Sequence, residues 1–144
     1  MADFATKSTE KLLNELTTSK EFELFMEENQ ASIAVVPIGE ALEKMLSEKG
    51  MKKAEVIRAS EMQEATCYAI FSGLRHPDRK RVLPLLIALG AGIDEIQTTL
   101  KRAGYATLYA RNPFDCIVIY GIVHGYSVAE INDKLFEYGE PTLG

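Results

Sequence analysis

Cysteine and histidine are scarce in this 144-residue chain, two of each, and tryptophan is absent. Cys67 and Cys116 lie in apolar-rich stretches without CxxC spacing, so two buried, reduced thiols are expected in place of a disulfide framework. His76 and His124 have no ligand-spaced neighbours, so no metal is expected. There is no Ser/His/Asp set and no phosphate loop. The chain is therefore expected to be neither an enzyme nor a cofactor carrier, with His124 a packed imidazole inside an apolar run. No apolar stretch approaches the roughly 18 residues of a membrane span. MADFATKSTEK lacks the basic-then-apolar pattern of a secretory signal, and the expectation is a cytosolic protein with no membrane partner. The rest, 47% hydrophobic and 26% charged, is the composition of a globular chain long enough for a sizeable core.

Charge is unevenly spread. Residues 1–38 hold 3 basic and 7 acidic side chains, residues 39–90 hold 9 and 7, and residues 91–144 hold 4 and 7. Only the middle is basic, and Arg75, Arg79, Lys80 and Arg81 fall within seven positions. A solvated face is the plain reading of such a cluster, and a phosphate-contacting patch is the functional one.

The periodicity is almost entirely helical. Ser8 can cap a helix to about Leu16, and Ser19 another from Lys20 to Asn29. ASIAVVPI reads as an extended connector. Short helices punctuated by glycine follow: Glu40–Lys49 ended by Gly50, Lys53–Ser60, Gln63–Ser72 ended by Gly73, Arg79–Leu89 capped by Asp78 and ended by Gly90, and Ile93–Ala103 ended by Gly104. Pro84 removes a backbone donor within the fourth of these and is expected to kink it. Asn112-Pro113-Phe114-Asp115 carries a cap, a first-turn proline and an acid, opening a helix through CIVIYGIVH that is apolar on nearly all sides and is expected to be buried. Ser127 and Glu130 form a capping box for the last helix, to Tyr138. EKGMKKAEVI (48–57) and VHGYSVAEIN (123–132) share a weak repeat.

The order and spacing of LEKMLSEKGMKKAEVI, IFSGLRHPD and LLIALGAGIDEI, over about 55 residues from Leu42 to Ile96, resemble the lambda-repressor-like (Xre/Cro) helix-turn-helix family. The resemblance implies an all-α chain: a five-helix lambda-repressor-like helix-turn-helix domain with extra N-terminal helices and a C-terminal αα-hairpin. The domains would be an N-terminal helical arm over 1–38, the DNA-binding domain over 39–104, and a hairpin over 105–144 packed on it as a possible dimer interface. The reading helix would be 63–72, entering the major groove of double-stranded DNA. Gln63 suits adenine, Glu64 suits cytosine N4, and Ala65 or Thr66 suits a thymine methyl, with Tyr68 and Ser72 further along the face. Equally, Gln63 and Glu64 are ordinary first-turn residues. Lys52, Lys53, Arg75, Arg79, Lys80 and Arg81 would meet phosphates. Roughly four contacts per protomer of a homodimer would give a salt slope of about −7. Two positions depart from the family pattern: Ile57 stands where a small residue is usual, and Glu61 where a turn glycine is common. The implied function is a transcriptional regulator. The alternative is a protein-interaction module on the same scaffold, with Glu61, Glu64 and Tyr68 facing a protein partner.

Overall fold

In a computed structural model, residues 7–18, 21–29, 35–74 and 76–144 are described, and all regular structure among them is helical. The chain divides into two compact units, Met1–Val35 and Val36–Gly144. No helix among the described residues is long and apolar enough to cross a membrane.

The first unit holds α1 (Thr9–Thr18) and α2 (Phe22–Glu28). Ser8 opens α1 as its sequence suggests, its hydroxyl accepting from Lys11 N–H at 3.1 Å. Ser19 and Lys20, expected to begin α2, lie outside the described residues, as does the first half of the ASIAVVPI connector, residues 31–34.

The second unit contains α3 (Ile38–Lys49), α4 (Lys53–Ala59), α5 (Glu64–Ser72), α6 (Arg79–Ala88), α7 (Ile93–Arg102), α8 (Pro113–Val123) and α9 (Val128–Glu137). Helix α3 starts two residues ahead of expectation, directly after Pro37, whose fixed φ of −58° suits a helix entrance. It lies close on α5, because a Cβ on Gly39 would stand 2.8 Å from the carbonyl oxygens of Ile70 and Phe71. Helix α4 packs on α5 and α6. Leu42, Val56, Cys67, Ile70, Val82, Leu83, Leu85, Ile96 and Leu100 are fully enclosed between these helices.

Pro84 sits inside α6, which continues through it. Having no N–H, it leaves the Lys80 carbonyl without its helical donor, and Gly144 N–H fills the vacancy at 3.0 Å. Asp78 occupies the N-cap position of α6 without a side-chain cap bond, its carboxylate lying 3.6 Å from Arg81 instead.

A closer internal repeat than the sequence suggests joins α6–α7 to α8–α9, at a spacing of 35 positions: Gly90/Gly125, Glu95/Glu130, Ile96/Ile131, Leu100/Leu135, Gly104/Gly139 and Leu108/Leu143. The backbone repeats with it. Ala91 N–H donates to Leu86 O as Tyr126 N–H does to Gly121 O, and Tyr105 to Leu100 O as Glu140 to Leu135 O. Each hairpin is closed by an amide clasp. The Gln97 side chain bonds both Leu108 N–H (2.7 Å) and Leu108 O (2.9 Å), and Asn132 does the same for Leu143 (2.7 and 3.5 Å). The clasp satisfies backbone groups that a returning extended segment would otherwise leave unpaired. The signal is sparse because identity falls on a few positions, most of them turn glycines and buried aliphatic residues.

Arg79 of α6 and Asp115 of α8 form a bidentate ion pair at 2.7 and 3.1 Å, with Asp115 only 3% exposed as a side chain. Asp115 also accepts from Tyr109 N–H at 2.8 Å. The Asn112 cap and the Ser127–Glu130 capping box form as their sequences indicate.

Candidate nucleic-acid interface

Helices α4 and α5 meet through a four-residue turn. Ser60 closes α4: its hydroxyl donates to Ile57 O at 2.6 Å, accepts from Met62 N–H at 3.3 Å and lies 3.5 Å from Cys67 Sγ. Burial pushes the Cys67 thiol up, partly offset by Ser60. Glu61 then takes φ +63°, the one non-glycine residue in the left-handed region among those described. The chain must reverse here, and a Cβ in that conformation is strained. Gln63 follows as the N-cap residue of α5, in extended backbone and without a side-chain cap bond, which leaves its amide free to face a ligand.

The seam between the helices is apolar. Val56, Ile57, Cys67, Ile70 and Phe71 are buried. Ile57 is enclosed in the core at 4% exposure. The outward face of α5 carries Glu64, Ala65, Tyr68 and Ser72, all exposed, with Thr66 half-buried. The Ser72 hydroxyl is already spent on Ala69 O at 3.1 Å.

The six cations expected at phosphates have different fates. Lys52, at the N-cap of α4, is exposed. Lys53 is paired with Glu43, and its ammonium lies 4.9 Å from the centre of the Phe71 ring. Neither Glu61 nor Glu64 is its partner. Arg79 is committed to Asp115 and to Thr107 O at 3.3 Å, so it ties α6 to α8. Arg81 lies near Asp78, and Lys80 is half-buried. Arg75 lies outside the described residues. Lys52 and Lys80 have no carboxylate partner among those described.

Two clefts flank the start of α5. One, of about 270 Å³, lies between Glu61, Gln63, Thr66, Arg81 and the 143–144 segment. The other, of about 290 Å³, is bounded by Thr66, Ile70, His76, Pro77, Asp78 and Arg81. Thr66 and Arg81 are common to both, so Arg81 stands beside Gln63 and Thr66, which its place in the sequence alone does not reveal.

Three expectations are corrected. Cys116 is exposed, not buried. Helix α8 is not enclosed, because Tyr120 and Val123 are 49% and 58% exposed. His124 is an exposed residue at the end of α8, stacked on Tyr120 at 4.0 Å between ring centres, and not a packed interior imidazole. All three share one physical reason: no helix of the second unit covers that side of α8. No three His, Cys, Asp or Glu side chains converge as a metal site among the described residues.

Set against known proteins, the chain matches no family model, no curated protein and no solved structure.

Proposed function

We propose that the chain is a DNA-binding transcriptional regulator of the Xre/Cro helix-turn-helix type, acting by steric occupancy of an operator. Helix α4 would span the backbone and α5 would lie in the major groove. The observation that carries the reading is the turn. The family pattern has a glycine at the position of Glu61, and Glu61 adopts the left-handed backbone that such a glycine serves. Directly after it, the uncapped Gln63 side chain and the exposed Ala65 and Tyr68 stand on one outward face. That is the set a groove-entering helix presents at its N-terminal end. Gln63 is the adenine reader, and Lys52 and Lys80, the two expected cations without a carboxylate partner among the described residues, supply the phosphate contacts.

Arg79 drops out of the phosphate set, since withdrawing it would strand the Asp115 carboxylate in the interior. With roughly two contacts per protomer, a dimer's slope of log K against log salt falls to about −4.

A second reading, a protein-interaction module on the same scaffold, is favoured by one observation. Glu61 and Glu64 are exposed beside Tyr68 (42%) and Leu74 (82%), while Lys53, Arg79 and Arg81 are occupied by carboxylates. Fluorescence anisotropy against random and genomically enriched duplexes at two salt concentrations separates the two. Salt-sensitive binding with a sequence-selected remainder supports the DNA reading. Absence of binding at low salt refutes it and leaves a protein ligand for the α5 face.

A further inference from the structure

The two hairpins of the 35-residue repeat exchange their ends. In the repeat Tyr109 corresponds to Gly144, and Lys80 to Asp115. Tyr109 N–H, following the first hairpin, donates to the Asp115 carboxylate on α8 of the second at 2.8 Å. Gly144 N–H, following the second, donates to Lys80 O on α6 of the first at 3.0 Å. The helices cross over in the same way, α9 packing on α6 and α7 on α8. Segment 140–144 therefore has a defined seat on α6, the counterpart of the one that 105–109 has on α8.

Two departures from the repeat meet at that seat. Pro84 stands where α8 has Ile119, and the proline is what leaves a helix carbonyl open for Gly144. Gly144 stands where the first hairpin has Tyr109, in the left-handed region at φ +95°. A Cβ on Gly144 would lie 3.2 Å from Cγ of Met62, the residue between Glu61 and Gln63 in the α4–α5 turn. Leu143, 6% exposed and held by Asn132, anchors the segment in the core. From that anchor the chain runs to the turn, where Leu143 and Gly144 wall the cleft opposite Glu61, Gln63 and Thr66.

We propose that segment 140–144 is a strap that sets the position of the start of α5. Seated, Gly144 bears on Met62 and fixes the turn; lifted, it leaves the turn and the first residues of α5 free to shift. Gln63 has no side-chain cap bond of its own, so its bearing depends on the backbone that Met62 holds. Met62 and Gly144 are positioning residues, and neither is assigned a contact with a ligand. The second hairpin thereby governs a helix to which it contributes no residue. Where the ligand is DNA, the inference rests on the proposed function; the hold on the turn does not.

Amide hydrogen exchange on the full chain is the test, in Gly144→Val and in a chain cut after Gly139. Valine is strained at φ +95° and presses on Met62, so it lifts the strap while leaving Leu143 in place. The Cys67 N–H, which closes the first turn of α5 on Gln63 O at 3.1 Å, should then exchange roughly fivefold faster, the worth of about one hydrogen bond. The Ile96 N–H, which closes the first turn of α7 on Gly92 O at 2.9 Å, should keep its parent rate in Gly144→Val. Thr142→Ala, an exposed change within the strap, should match the parent at both amides. In parallel, Gly144→Val should weaken binding to a selected duplex by roughly five- to tenfold, the lower part of what a bidentate base contact contributes. Binding to random duplex and the salt slope should hold, because Lys52 and Lys80 keep their side chains. Equal acceleration of both amides in Gly144→Val, or of neither, overturns the strap. So does an equal loss of affinity on every duplex. A parent chain that binds no duplex would sink the proposed function instead, and the exchange rates alone would then decide the strap.

Discussion

Replacing Glu61 by glycine tests the turn on which the α4–α5 arrangement depends. At φ +63° a side chain with a Cβ costs about 1–2 kcal/mol relative to the right-handed region. Glycine avoids that strain but gives back roughly 0.5–1 kcal/mol through its freer unfolded state. The expected net gain for Glu61→Gly is thus about 0.5–1 kcal/mol, read as a higher urea midpoint at unchanged slope. Glu61→Ala separates strain from charge. It keeps the Cβ in the left-handed region and removes the carboxylate, so its stability should stay within about 0.5 kcal/mol of the parent, as for a surface change that alters no backbone strain. If DNA is the ligand, both variants should bind duplex more tightly than the parent, because a carboxylate beside the start of α5 opposes phosphate. Stability would then rank glycine above alanine, while affinity would rise for both. A Glu61→Gly protein no more stable than Glu61→Ala would refute the claim that this turn stores backbone strain.

Arg79→Ala should destabilise the fold by about 3 kcal/mol in urea titration, the low end for stranding one partner of a buried pair, since the Arg79 side chain is itself 24% exposed; a change confined to DNA affinity would mean the arginine serves phosphate instead. Gln97→Ala and Asn132→Ala each remove a two-bond clasp, and both should cost about 1–3 kcal/mol by leaving backbone groups of Leu108 or Leu143 unpaired. A loss in only one of them would show that the two hairpins are not energetically equivalent. The native protein should offer one thiol, Cys116, to an aromatic disulfide reagent, and a second only on unfolding. Burial holds the Cys67 thiol above its ordinary 9.0, so its contribution is intact below pH 9 and is lost as pH rises through the raised folded value. The urea midpoint should therefore fall on the alkaline side, and fall less in Cys67→Ala.

Helix positions and ends were legible in the sequence because they are fixed by bonds between near neighbours. Asn112 reaches Asp115 N–H, Ser127 and Glu130 exchange bonds, and glycines stop helices by the local left-handed turn, all within about four residues. The outward face of α5 was legible for the same reason: a 3.6-residue period places Ala65, Tyr68 and Ser72 opposite Cys67, Ile70 and Phe71.

What the tertiary structure alone decided is which charges are free and which faces are covered. Arg79 looks like its neighbours Lys80 and Arg81, yet a carboxylate 36 positions away claims it, and one 10 positions away claims Lys53. Helix α8 reads as buried because its residues are apolar, but enclosure requires another helix, and none in the unit covers the side bearing Tyr120. Lys80 O is left open by Pro84 and is met by the 143–144 segment, a pairing visible only once the second hairpin has folded back over α6. Local bonding depends on residue type and spacing, and the sequence carries both. Pairing across the chain depends on which surfaces packing brings within a few ångströms, which only the folded chain supplies.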